Sequence, residues 1–261
     1  MIAGPIMDTE GASWNMDNSP VTGGSMAGSD VSSMISFKLG NEMRPGYLAL
    51  PRGSGPFPAV VVIHEVDGLI EHMKDVARRF AAAGYGALAV DLYAGRKRGP
   101  CILRLFGGMF LNSLDNGTIR ELKAALSYLQ DRPEVDAGRL GAIGFCMGGS
   151  FAIAWGAADN RLKAIAPYYG MNPRPLDVVA RSCPVVGSYA GKDVLASGGA
   201  KLEAALTRAG VTHDIKIYPD AKHAFFNDQV KPYNPEAARD SWARVLAFFD
   251  QHVRQGSVAP A

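Results

Sequence analysis

A chain of 261 residues, 48% hydrophobic and 20% charged with a net charge of +2, is large enough for one well-filled globular domain. That balance excludes a disordered chain and carries no signal for nucleic acid or membrane, so the expected partner is a small molecule. No run approaches the roughly 20 apolar residues of a membrane span, and the N-terminus lacks the basic and apolar parts of a secretory signal. Cys101, Cys146 and Cys183 are too few and too scattered for a disulfide framework or a zinc site. A cytoplasmic protein with a free thiol and no cofactor is expected.

Residues 1–33, which include GGSMAGSD, read as a flexible tail ahead of a single domain spanning 34–261. ISFKL and GYLALP, broken by Gly40, Asn41, Pro45 and Gly46, suit an antiparallel hairpin at a sheet edge. PAVVVIHE is a continuous apolar run rich in β-branched residues, the pattern of a strand covered on both faces. A helix over about 70–83 places Val76, Phe80 and Ala83 at helical spacing and stops at Gly84, before the buried strand YGALAVD. Segment 99–114, GPCILRLFGGMFLNSL, is strongly apolar and breaks the alternation. It reads either as a lid or as an extra helix packed on the sheet edge.

Alternation then resumes with a helix near 116–130, the strand RLGAIGF, a helix from 147, the strands LKAIAPYY and CPVVGSYA, a helix over 199–209, the strand THDIKIY and a terminal helix over 235–253. The expected class is α/β, a mostly parallel sheet of about eight strands covered by helices on both faces.

In such a sheet, ligands bind beyond the carboxyl ends of the strands. Glu65, Cys146, Asp193 and His223 all stand just after predicted strands. Gly144 and Gly148 frame Cys146 as in a nucleophile elbow, and the order Cys, Asp, His matches the Ser, Asp/Glu, His order of the α/β-hydrolase fold with thiol in place of hydroxyl. A thiol needs a base or a positive field to ionise; His223 supplies one and the start of the following helix the other. Asp193 would fix the imidazole tautomer, and the backbone N–H groups of Met147 and Val66 are the candidate oxyanion donors.

Competing motifs fail. In GFCMGG, Cys146 occupies the second glycine of a G-x-G-x-x-G pattern, nothing matches G-x-x-x-x-G-K-[ST], and His72 breaks the H-E-x-x-H spacing begun by His64 and Glu65. His72, His213 and His252 read as surface residues.

HEVDGL (64–69), AVDLYAG (89–95), GFCMGG (144–149), PYYG (167–170), GKD (191–193) and HAFFND (223–228) occur in this order, and together they resemble the dienelactone hydrolase family from about residue 34 onward. The resemblance implies the triad Cys146, Asp193 and His223, with the Val66 and Met147 amides as oxyanion hole. It also implies that Glu65 is a switch, holding the thiol at rest until substrate rearranges it. The implied substrate is a small carboxylic ester or lactone.

Members that open dienelactone bind its carboxylate with two arginines, one closing a DLYAR motif and one four residues after the catalytic histidine. Those positions here are Gly95, with Arg96 displaced by one, and Asn227. Arg96, Tyr169, Phe106 and Phe110 are the candidates for substrate contact, and with Met109 in the same apolar segment less polar esters become plausible. A broad carboxylesterase is one alternative; a non-catalytic ligand-binding or thiol-sensing protein on the same scaffold is another. A monomer is expected, since no long apolar surface stripe is evident.

Overall fold

A computed structural model describes residues 31–255, with the side chains of Arg98, Phe106, Met109, Phe110 and Leu111 outside the description. The β-branched run becomes strand β3 (Phe57–Ile63), buried from Pro58 onward. Its side chains alternate between two cores. Val60 and Val62 join Met73, Phe80, Phe145 and Trp242 on one face, while Val61 and Ile63 join Leu122, Phe151 and Trp155 on the other.

The predicted hairpin is β1 (Val31–Leu39) and β2 (Glu42–Leu50). β1 starts inside the segment read as a tail, and residues 1–30 lie outside those described. Strands β4 (Gly86–Val90), β5 (Val135–Phe145), β6 (Leu162–Tyr168), β7 (Val185–Ala190) and β8 (His213–Tyr218) complete a sheet of eight strands in the order β1-β2-β4-β3-β5-β6-β7-β8. β1–β2 and β2–β4 pair antiparallel; every other neighbour is parallel. After β3 the chain moves to one side for β4 and to the other for β5. The topological switch point therefore lies between the ends of β3 and β5, the place where such sheets bind ligands.

Helices α1 (Glu71–Ala82) and α6 (Pro235–Phe249) cover one face. Helices α3 (Gly117–Gln130), α4 (Met147–Ala158) and α5 (Ala196–Ala209) cover the other. α3 starts where Asn116 accepts from the Thr118 and Ile119 amides, and α6 starts where Asn234 accepts from the Ala237 amide. Segment 99–114 forms α2 (Arg98–Leu111), which sends Cys101 and Leu105 into the core and leaves Leu103 exposed. No helix among the described residues is long and apolar enough to cross a membrane.

Two histidines depart from the expectation of a surface position. His72 is fully buried, because it shares the inward face of α1 with Met73 and Val76, and its ring meets Phe145 and Phe226. His252 is buried because α6 ends at Phe249 in a wider turn, Asp250–Arg254, which brings it against Phe248. His213 is half-buried, its Nδ1 2.7 Å from the Val211 carbonyl.

α4 is buried on all sides from Met147 to Ala157, and glycine lets it come so close. A Cβ on Gly144 would collide with the Gly148 carbonyl, one on Gly148 with the Ile63 and His64 carbonyls, and one on Gly149 with the Tyr168 carbonyl. Gly148→Ala is therefore expected to cost more than about 2 kcal/mol or to prevent folding, whereas Gly117→Ala, whose Cβ meets open space, should leave the urea midpoint nearly unchanged. Equal midpoints for the two variants would contradict this packing.

Candidate active site

Cys146 links β5 to α4 with φ 52° and ψ −113°, a region that non-glycine residues rarely adopt. Three bonds hold it there: its N–H donates to the Tyr168 carbonyl at 3.0 Å, and its carbonyl accepts from the Ser150 N–H at 3.1 Å and the Ser150 hydroxyl at 3.2 Å. The residue sits at the amino end of α4, whose dipole favours negative charge. Met147 opens that helix, so its N–H belongs to the first turn and lacks an intrahelical acceptor.

His223 follows β8, and Ala224 at φ 64° turns the chain after it. Its Nδ1 lies 2.5 Å from Asp193 Oδ2, while Asp193 Oδ1 accepts from the Leu195 amide at 3.1 Å. The Asp193 side chain is only 5% exposed against 36% for His223, so the carboxylate forms a fixed base under a more accessible ring. The imidazole pKa rises to about 9, chiefly through its hydrogen bond to the Cys146 sulfur, with Asp193 adding to the rise and burial opposing it. The ring thus lies between the Asp193 carboxylate and the Cys146 sulfur.

Glu65 lies buried beyond β3, and both its oxygens are engaged. Oε1 accepts from the Tyr169 hydroxyl at 3.2 Å and Oε2 from Asn227 Nδ2 at 3.1 Å. Tyr169, at φ 38°, is pinned by its N–H to the Ser188 carbonyl at 2.8 Å, and its ring lies 4.9 Å from that of His223. Burial, reinforced by the charges of Glu65 and Cys146, holds the Tyr169 pKa well above its ordinary value, so the hydroxyl remains a donor.

The backbone here is equally determined. The Glu65 carbonyl takes His64 Nδ1 at 2.5 Å and the Gly68 amide at 3.2 Å. His64 Nε2 accepts from the Leu92 amide at 3.1 Å, so this buried ring is a neutral clasp between the ends of β3 and β4. Because a trans peptide is planar, fixing the Glu65 carbonyl also fixes the direction of the Val66 N–H. Tyr93 OH donates to the Val66 carbonyl at 2.7 Å and secures the next unit.

The structure gathers Cys146, Asp193, His223, Glu65 and Tyr169 at the carboxyl edge of the sheet. Arg96 is not gathered in the same way: its guanidinium pairs with Glu42 on the β1–β2 hairpin at 2.9 Å, directed there by a turn in which its N–H donates to the Tyr93 carbonyl. Phe106 and Phe110 lie on α2, and their side chains are outside those described.

Asn227, read from sequence only as a missing arginine, proves to be the second anchor of Glu65. The available signal was a polar residue directly after the buried pair Phe225 and Phe226. The next residue, Asp228, ties this loop to α1 through Arg79 at 2.6 Å and His72 at 3.3 Å. Its carboxyl is lowered to about 2, by His72 first and Arg79 after it, against the opposing effect of burial.

Comparison with known proteins agrees with this geometry. The model of the dienelactone hydrolase family matches residues 45–253. A protein of Methylorubrum extorquens, provisionally named a carboxymethylenebutenolidase, is 33% identical over 254 residues, covering 89% of this chain and 87% of its own. One of the same name from Yersinia pestis is 34% identical, covering 82% of this chain and 85% of its own. The crystal structure of a protein from Klebsiella pneumoniae, described provisionally as a dienelactone hydrolase, superposes with a TM-score of 0.76 at 30% identity, over 86% of this chain and all of that one. Fold, order of strand-end residues and relatives converge: the chain belongs to the dienelactone hydrolase family and is a hydrolase on the α/β-hydrolase fold.

Proposed function

We propose that this enzyme cleaves small carboxylic esters or lactones through an acyl-enzyme on Cys146. The observation that carries the reading is the His223 ring, held by Asp193 at one nitrogen and raised to about 9 by the Cys146 sulfur on its other side. The thiolate attacks the carbonyl carbon, a C–S bond forms, and the carbonyl electrons move onto oxygen between the Val66 and Met147 amides. Collapse breaks the ester C–O bond, and His223 gives its proton to the departing alkoxide. Neutral His223 then takes a proton from water as that water attacks the thioester, the thiolate leaves, and the acid is released.

Glu65 acts as the thiol switch in this scheme. With one oxygen on Tyr169 and the other on Asn227, its carboxylate leaves the sulfur to His223. Released from either partner, it would accept the S–H hydrogen bond and favour the neutral thiol. The reading also places the enzyme in the cytoplasm as a monomer, a setting that suits its three unpaired cysteines.

Cys146→Ala should lower hydrolysis of p-nitrophenyl butyrate at least about 1,000-fold with an unchanged melting temperature; full retained activity would sink the nucleophile assignment, and ligand-dependent stabilisation without turnover in the wild type would favour a binding protein. Because the imidazolium donates the proton and loses it as pH rises through about 9, kcat/KM for ethyl butyrate should fall above that pH. The p-nitrophenyl ester, whose leaving group departs unprotonated, should be far less affected; parallel profiles to pH 10.5 would contradict the donor role. Asn227→Ala should slow alkylation of Cys146 by iodoacetamide at pH 7 by about tenfold, and adding Glu65→Gln should restore it. An alkylation rate indifferent to both changes would remove Glu65 from control of the thiol.

A further inference from the structure

The helix behind the nucleophile, α4, reads MGGSFAIAWGAA and is buried almost throughout, with Ser150 its only hydroxyl. Alanine is the stronger helix former and occupies nearly the same space, so a serine here lowers helix stability unless its bonds offset the loss. The residue is 1% exposed, and a hydroxyl so far from water needs partners inside the protein.

Its Oγ donates to the Cys146 carbonyl at 3.2 Å and accepts the Met171 N–H at 2.8 Å. Bonding the carbonyl four residues back is the ordinary habit of a helical serine. The second bond is not: it comes from outside the helix, from the segment that follows β6. With its one hydrogen committed to Cys146, the hydroxyl has no proton to offer a substrate.

The consequence falls on the next peptide unit. The Cys146 carbonyl also accepts the Ser150 N–H at 3.1 Å, so two donors hold the one oxygen. The Cys146–Met147 unit is trans and planar, and its N–H points away from that carbonyl. Holding the oxygen at two points therefore fixes the direction of the Met147 N–H, one of the two donors assigned to the oxyanion.

The brace has a second end. The Cys146 N–H donates to the Tyr168 carbonyl at 3.0 Å, so both backbone groups of the nucleophile are tied to residues 168–171, one directly and one through Ser150. Gly170, within that segment, has no room for a Cβ because the backbone of Gly149 and Ser150 lies against it. The same segment carries Tyr169, the partner of Glu65.

We propose that Ser150 is a positioning residue of the reaction: its hydroxyl, anchored by Met171, locks the Cys146–Met147 peptide plane so that the Met147 N–H is aimed at the oxyanion before substrate arrives. This rests on the ester-hydrolase reading above. Ser150 touches no reacting atom and acts only through the backbone of its neighbours.

For p-nitrophenyl butyrate, Ser150→Ala should lower kcat about tenfold and leave KM within about twofold, because loosening a donor costs less than the roughly 100- to 1,000-fold of losing one. Alkylation of Cys146 by iodoacetamide displaces iodide from carbon and forms no oxyanion, so its rate should stay within about twofold of the wild type. Ser150→Cys keeps the volume but replaces the hydroxyl by a weak donor, and should be as slow in hydrolysis as Ser150→Ala. An unchanged kcat in Ser150→Ala, an equal fall in hydrolysis and alkylation, or full recovery in Ser150→Cys would each overturn the assignment. Absence of ester hydrolysis in the wild type would instead overturn the ester-hydrolase reading, and the positioning role is then judged on an adduct. The Cys146 thiolate adds to the carbonyl carbon of propyl trifluoromethyl ketone, and the carbonyl electrons move onto oxygen as in the transition state. Half-protection of Cys146 from iodoacetamide should need about tenfold more ketone in Ser150→Ala than in the wild type; the same concentration in both, or protection in neither, would overturn it.

Discussion

Backbone pressed against backbone at the end of β5 sets the position of every group around the thiol. The first turn of α4 sits among the carbonyls of Ile63, His64 and Tyr168 and the Cα of Gly144, with no space for a Cβ at 144, 148 or 149. That contact forces Cys146 into its positive-φ conformation, a local cost of roughly 1–3 kcal/mol that the surrounding bonds to Tyr168 and Ser150 offset. It also brings the ends of β3, β5 and β6 together, so Glu65, Cys146 and Tyr169 become neighbours although far apart in sequence. An ordinary strand-to-helix loop would hold none of these distances.

Charge is arranged on this frame by giving each group a definite partner. One imidazole ring stands between the Cys146 sulfur and a buried carboxylate, and a second buried carboxylate is kept on a phenol and an amide. Tyr169 serves both sides: burial, reinforced by the charges of Glu65 and Cys146, keeps its hydroxyl protonated, and its ring supports His223. The Asp228 pairs with Arg79 and His72 anchor the loop that carries both His223 and Asn227. A structural ion pair thereby sets the position of His223 and of the residue that holds Glu65.

Sequence reading succeeded where the signal was local. The run at 57–63, the helix ending at Gly84, the glycines about Cys146 and the polar residues Glu65, Asp193 and His223 after strands all express themselves within a few positions, and the structure sets these last three at the carboxyl edge of the sheet. Its failures have physical causes. His72 looks polar in a helix, but it takes up the inward face of α1, and its partner Asp228 belongs to a distant loop. Asn227 serves a carboxylate 162 residues away, a pairing that no window of sequence contains. Arg96 follows the motif closely enough to suggest a clamp, yet the turn at Tyr93 and Gly95 sends its guanidinium to Glu42.

The central claim is that Cys146 carries the acyl group, and the most direct measurement is to find it there. Acid quenching within milliseconds of mixing with p-nitrophenyl butyrate, followed by intact-protein and peptide mass spectrometry, reads the adduct in the wild type and in His223→Ala, where deacylation lacks its base. One butyryl group on the peptide containing Cys146, persisting longer in His223→Ala, is the expected result. Turnover with no adduct in either protein, or a butyryl group on another residue, would contradict it.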